Sequence, residues 1–256
     1  MRVQLHGPTR AVLAIAPAQP AVIEHESLVL RHDHGDLEVR ELVGEHGARM
    51  QLAAGGEGRL DIEFSAVVEG RTEPGPATEL DLIRFLRPSR YCESDLLMPT
   101  ARSEFSGLSG FVLLDAVVEW VASRLAYVSG SSLPTDGAAR TLINRQGVCR
   151  DYAHLTIALL RAMDVPARMV SVYAPGLSPM DFHAVVEAHV DGGWYVVDAT
   201  RLAPRQSLLR ISTGRDAADT AFLTTHDRDI DFQWLEVSAV VDSLPYDDIS
   251  LPVVLG

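Results

Sequence analysis

Short runs of apolar residues, several alternating with polar ones, dominate the first third of the chain. Leu28–Leu30, Leu37–Val39, Arg59–Phe64 and Ala66–Val68 read as strands, separated by Gly, Asp and His clusters such as His32-Asp33-His34-Gly35. Strands this short and this closely spaced predict a small antiparallel sandwich or sheet over residues 1–88. Glu73-Pro74-Gly75-Pro76, within Arg71–Thr78, marks a linker or turn.

Beyond that point the period changes. Leu80–Leu86 fits a short helix or a continuing strand. Phe111–Tyr127 carries Val112, Leu113, Ala116, Val117, Trp120, Val121 and Leu125 near 3.6-residue spacing and predicts a helix. Gly130–Gly137 reads as a loop and Ala138–Asn144 as a short helix. Cys149–Met163 predicts another helix, with Cys149, Ala153, Ile157 and Leu160 on one stripe that buries one face. Val165-Pro166 ends it, because proline disfavours helix in the residue before it. Arg168–Tyr173 then reads as a strand and Ala174–Met180 as a loop. Phe182–Val190 and Trp194–Val197 read as two strands of a hairpin turning at Asp191-Gly192-Gly193. Arg210–Leu223 has no clear pattern, and one or two strands are expected around Leu235–Val241. The chain thus divides into a β-rich region, 1–88, and an α+β region, 89–256.

Composition narrows the function class. With 47% hydrophobic and 22% charged residues the 256-residue chain can bury a core. The formal net charge of −13 opposes phosphate backbones, which argues against nucleic acid as a partner. No apolar run approaches the roughly 18 to 20 residues of a membrane span, and Ala11–Ala16 is too short for a secretory core, which needs about 7 to 15. The expectation is a soluble, cytoplasmic protein that does not engage a membrane. All 22 basic residues are arginine, so an enzyme joining acyl groups to lysine amines could not use its own side chains as acceptors.

Two cysteines in a chain this long make no disulfide framework. Cys92, in Arg90-Tyr91-Cys92-Glu93-Ser94, has no base beside it in sequence and reads as structural. Cys149 differs. In Gln146-Gly147-Val148-Cys149-Arg150-Asp151 a glycine turn leads into a helix whose first turn holds the thiol. Unpaired N–H groups and the helix dipole there favour a thiolate, and the same groups can hold an oxyanion. Taken alone, a small buried inert cysteine is the favoured reading.

A thiol nucleophile needs a base, and the base an orienting group. The hairpin offers both. If its loop is even-membered and centred on Asp191-Gly192, Val190 pairs with Gly193 and Asp198 falls opposite Val185. His183 shares a face with Val185, so His183 and Asp198 become diagonal neighbours, about 7 to 8 Å apart in backbone and within side-chain reach. Asp198 could then hold one imidazole nitrogen while the other faces Cys149. An odd-membered turn would put the two on opposite faces. His154, five residues after Cys149 on the same helix, is turned away and makes a poor base; His189 shares parity with His183 but sits near the turn tip. No CxxC or HExxH spacing supports zinc at Cys149, His183 and Asp198. His32-Asp33-His34 reads as a solvated loop, and neither a P-loop nor a dinucleotide GxGxxG is present. No cofactor and no metal are expected.

Three segments, Gly147-Val148-Cys149-Arg150-Asp151-Tyr152-Ala153-His154-Leu155, Asp181-Phe182-His183-Ala184-Val185-Val186-Glu187 and Trp194-Tyr195-Val196-Val197-Asp198-Ala199-Thr200, resemble the three blocks of the transglutaminase-like superfamily, in its order. Phe85–Cys92 and Gly214–Asp219 also resemble its bacterial cysteine-protein members that carry an N-terminal β-domain. The likeness spans about residues 80–225. It implies a papain-like α+β core, with the cysteine helix packed on an antiparallel sheet, over residues 89–256 and preceded by the β-domain. It further implies Cys149 as nucleophile, His183 as general base and then acid, Asp198 as orienting group, and a protein or peptide substrate. Members hydrolyse amides or transfer glutamine acyl groups to amines through a thioester, and some have lost activity. Amide hydrolysis is the reading preferred for this chain, ahead of cross-linking and of a non-catalytic binding module. Two positions depart from the family pattern: Ala199 where proline is frequent, expected to alter only local backbone, and Val185 where an aromatic is frequent, expected to change substrate packing beside the histidine. The Cys149 N–H and Gln146 are the candidate oxyanion donors.

Overall fold

The computed structural model describes residues 1–71 and 75–256, so the first half of the turn expected at residues 73–76 lies outside the described residues. Backbone contacts divide the chain into two units, one of residues 1–72, 210–212 and 221–238, the other of 73–209, 213–220 and 239–256.

The first unit is built from β1 (Arg2–Leu5), β2 (Thr9–Leu13), β3 (Val22–His32), β4 (Gly35–Asp36), β5 (Arg40–Val43), β6 (Arg49–Gly55) and β7 (Gly58–Glu69). Two strands from late in the chain, Leu223–His226 and Ile230–Trp234, pair antiparallel with β2 and β1. Val3, Leu5, Leu13, Leu30, Leu60 and Ile62 alternate inward and are almost wholly buried. Arg59–Phe64 and Ala66–Val68, read separately in the sequence, are one strand, β7. Leu37–Val39 is not a strand, and the strand expected at Leu235–Val241 lies earlier, at Ile230–Trp234.

The second unit contains α1 (Glu79–Arg84), α2 (Ser94–Phe105), α3 (Gly110–Arg124), β8 (Ala126–Tyr127), α4 (Ala138–Asn144), β9 (Gln146–Gly147), α5 (Cys149–Ala162), β10 (Ala167–Tyr173), β11 (His183–Val190), β12 (Gly193–Val197), α6 (Ala217–Thr220) and the ends of β13 (Leu209–Gly214), whose residues 210–212 belong to the first unit; the two late strands of the first unit are β14 and β15. The main sheet runs β12-β11-β10-β13, and the pairings β10–β11 and β11–β12 are antiparallel. Here α+β architecture follows from sequence period. Val186, Ala188 and Val190 alternate toward the cluster that contains α5. Val170, Val172, Val185 and Val196 join a second buried cluster with Leu208 and Leu255. Both faces of the sheet are therefore covered.

Helix α5 departs from the single-stripe expectation, because every residue from Asp151 to Ala162 is buried. It touches α2, α3 and α4 as well as β10 and β11. A helix packed on all sides needs no polar face, and its polar residues must then find internal partners. Arg161 does so, donating to Ala167 O (2.9 Å), Arg87 O (3.0 Å), Ser89 Oγ (3.0 Å) and Arg215 O (2.7 Å).

Candidate active site

The hairpin turns as its Asp-Gly pair requires. Asp191 and Gly192 both have positive φ, 49° and 86°, the two-residue loop that matches strand twist. Val190 pairs with Gly193 and Val186 with Val197, which sets Asp198 opposite Val185. On this even register His183 and Asp198 share a face. The result is a hydrogen bond of 2.8 Å between His183 Nε2 and Asp198 Oδ2, with both side chains almost wholly buried.

Asp198 is itself held. Its Oδ1 accepts the Thr200 N–H at 2.8 Å and the Thr200 hydroxyl at 2.7 Å, leaving Oδ2 for the ring. Thr200 thus orients the acid two residues away, and Ala199 between them is buried without disturbing the arrangement. Val185 is also buried, in the cluster with Val170 and Leu255, so it packs beneath the site and is closed to substrate, contrary to the sequence expectation.

The charges agree with this geometry. Burial acts to lower the His183 pKa, but the Asp198 charge, then the hydrogen bond to it, then Cys149, outweigh burial and raise it to about 10. Burial acts to raise the Asp198 pKa, and the His183 charge with the His183 and Thr200 hydrogen bonds brings it below its ordinary value. Nδ1 of His183 is buried and closes no hydrogen bond. With Nε2 taken by Asp198, Nδ1 is the nitrogen left for Cys149, whose thiol is close enough to act on the ring electrostatically.

Cys149 is partly exposed and opens α5. The helix start is braced by its third residue. Asp151 accepts the Val148 N–H at 2.8 Å and the Ser132 hydroxyl at 2.8 Å, and Arg150 donates to Ser132 Oγ and to Leu133 O (2.9 Å). The Gly130–Gly137 loop is thereby tied beside the cysteine. Gly147 is required here: a Cβ would stand 2.6 Å from Asp151 Cβ.

The remaining candidates separate by environment. Cys92 is fully buried, with its thiol pushed up by burial, and donates weakly to Arg215 O at 3.9 Å. His154 is fully buried, accepts the Ala217 N–H at 3.2 Å and stacks on Tyr91; burial lowers its pKa to about 3, so it is a neutral strut. His189 packs edge-on against Trp194, away from Asp198. His32 is buried at the end of β3, not solvated as expected, whereas Asp33 and His34 are exposed. Among the described residues no cluster of three or more His, Cys, Asp or Glu could hold a metal, and no single helix is long and apolar enough to cross a membrane. Gln146 is exposed on β9.

One residue at the site was not foreseen. Tyr127, expected at the end of a helix, lies instead in β8 and interacts with Cys149. No periodic signal singles out a two-residue strand, so alternation could not have found it.

A family profile and one solved structure agree with this architecture. The transglutaminase-like superfamily profile matches residues 111–199, which include Cys149, His183 and Asp198. A crystal structure of a candidate cysteine protease from Cytophaga hutchinsonii is 32% identical, covering 96% of this chain and 91% of that one, with a TM-score of 0.83. An uncharacterized protein of Mycobacterium leprae is 32% identical over 119 residues, 41% of each chain, so the match spans about two-fifths of that relative's length. The periplasmic domain of TgpA from Pseudomonas aeruginosa is 20% identical over 79% of this chain and 76% of that one, with a TM-score of 0.45.

Proposed function

The chain belongs to the transglutaminase-like superfamily, and from that membership we propose that it is a thiol-dependent amide hydrolase acting on a protein or peptide through a thioester acyl-enzyme. The observation that carries this reading is the buried 2.8 Å His183–Asp198 bond, which leaves Nδ1 without a closed partner beside the Cys149 thiol. An inert buried cysteine would need no such oriented base.

In this reading His183 Nδ1 takes the thiol proton and Asp198 holds the resulting imidazolium at Nε2. The Cys149 sulfur bonds to the amide carbon and the carbonyl π pair moves onto oxygen. Collapse restores the carbonyl, breaks the carbon–nitrogen bond and sends the His183 proton to the leaving amine. Water then attacks the thioester, His183 accepts its proton, and collapse releases the acid and returns the proton to sulfur. The raised His183 pKa suits the donor half of this cycle.

Water and a primary amine compete for the same thioester. A glutamine peptide offered with a labelled primary amine separates them. The hydrolase reading expects ammonia release with little label incorporated; incorporation exceeding hydrolysis would make the chain an acyltransferase.

A further inference from the structure

Tyr127 reaches Cys149 from an element that belongs to neither the hairpin nor α5. Strand β8 pairs in parallel with β9, placing Tyr127 opposite Gly147, two residues before the cysteine. The Val128 N–H donates to Gly147 O at 3.0 Å. Tyr152, in the first turn of α5, pins the start of this strand: its hydroxyl donates to Leu125 O at 2.9 Å and its ring lies 6.0 Å from that of Tyr127. Register and anchor together set Tyr127 against the N-terminus of α5.

The phenol interacts with two groups of Cys149, the backbone amide and the thiol. An oxyanion formed on a carbonyl bonded to Sγ, and held by the Cys149 N–H, must occupy space beside those same two groups. The phenol is therefore a donor standing next to the place where the charge develops. Gln146, the other candidate, precedes Gly147 on β9, and alternation sends its side chain to the face opposite Tyr127.

We propose that Tyr127 is a catalytic residue whose phenolic O–H is the second oxyanion donor, alongside the Cys149 backbone N–H. The proposal rests on the thiol-acylation reading above. As sulfur bonds to the carbonyl carbon and the π pair moves to oxygen, both donors accept the new charge without giving up a proton. On collapse the pair returns to the carbonyl and the donors are released. Tyr127 is 43% exposed, so the ring has solvent on one side and can yield to a substrate carbonyl. Burial, and after it the Cys149 charge, raise the phenol to about 12, which keeps it a protonated donor at neutral pH.

Two reagents that use the same thiol separate this role from a packing role. p-Nitrophenyl acetate acylates sulfur through an oxyanion; iodoacetamide alkylates it by displacement at a saturated carbon and forms none. Tyr127→Phe keeps the ring against Tyr152. The expected result is acylation of Cys149 slowed by about 10²- to 10³-fold, with alkylation within about threefold of wild type. Acylation within about threefold of wild type, or acylation and alkylation falling together, overturns the assignment. Gln146→Ala should leave both rates unchanged, and an acylation loss there in place of Tyr127→Phe also overturns it. Failure of the wild-type protein to be acylated at Cys149 would instead remove the proposed function, and this inference with it.

Discussion

Asp198→Asn is the sharpest probe of how the histidine is oriented. The asparagine carbonyl can keep both Thr200 contacts, 2.8 Å from its N–H and 2.7 Å from its hydroxyl, so the side chain stays in place. Its amide nitrogen then replaces Oδ2, 2.8 Å from His183 Nε2. An amide N–H must face a lone pair, so Nε2 gives up its hydrogen and Nδ1 becomes the protonated nitrogen. Nδ1 can no longer accept the thiol proton. The charge that most strongly raises His183 is also gone, leaving burial, the largest single influence, opposed by Cys149 alone, so the His183 pKa falls from its wild-type value. In a serine triad the corresponding loss of the correct tautomer costs about 10⁴-fold in kcat, and a drop of that order is expected here. The assay is nitrophenolate release from p-nitrophenyl acetate, with the His183 ring titrated by NMR in the same protein. The reasoning is refuted if Asp198→Asn retains more than about a tenth of the wild-type rate, or if the His183 pKa stays near that of wild type.

Other perturbations test other links. His183 is raised from 6.5 to about 10, so its contribution to stability is complete below pH 6.5 and is lost as pH rises through about 10; the unfolding free-energy difference between wild type and His183→Gln should shrink over that window, and a flat difference contradicts the pairing. Asp198, held below its ordinary value, contributes above about pH 4 and loses its contribution as pH falls through its folded pKa. Arg168 and Glu187 form a buried pair at 2.8 Å, with the guanidinium 3.9 Å from the Trp194 ring centroid; Glu187→Ala should cost about 3–5 kcal/mol in urea unfolding, and replacing both residues by apolar ones should cost less. Gly147→Ala forces its Cβ to within 2.6 Å of Asp151 Cβ and should displace the start of α5, lowering Cys149 acylation more than it lowers the melting temperature.

The hairpin that carries His183 and leads to Asp198 was legible because few variables set it. Asp191-Gly192 specifies a two-residue loop, the loop specifies register, and register decides whether His183 and Asp198 meet. Long elements with one period, such as α3 and β10, were legible within a few residues of their bounds. Helix α2 was not: Pro99 lies inside it, and Leu97, Ala101 and Phe105 are its main apolar stripe, too little to stand out. Short β8, and with it Tyr127, escaped because two residues have no period. The complete burial of α5 was hidden because Asp151, His154 and Arg161 look like a solvent face in sequence, whereas each is buried against partners supplied by distant segments. The pairing of β14 and β15 with β2 and β1 joins strands from opposite ends of the chain, and alternation carries no information on partners so far apart.

The central claim is that Cys149 carries an acyl group during turnover. Brief exposure of wild-type protein to p-nitrophenyl acetate, followed by acid quenching and peptide mass mapping, tests it most directly. The account predicts an acetyl thioester on Cys149, none on the buried Cys92, none anywhere in Cys149→Ser when quenched at the same time, and slow accumulation in His183→Gln. Equal labelling of both cysteines, or an unmodified Cys149 while nitrophenolate is released at the wild-type rate, would contradict it.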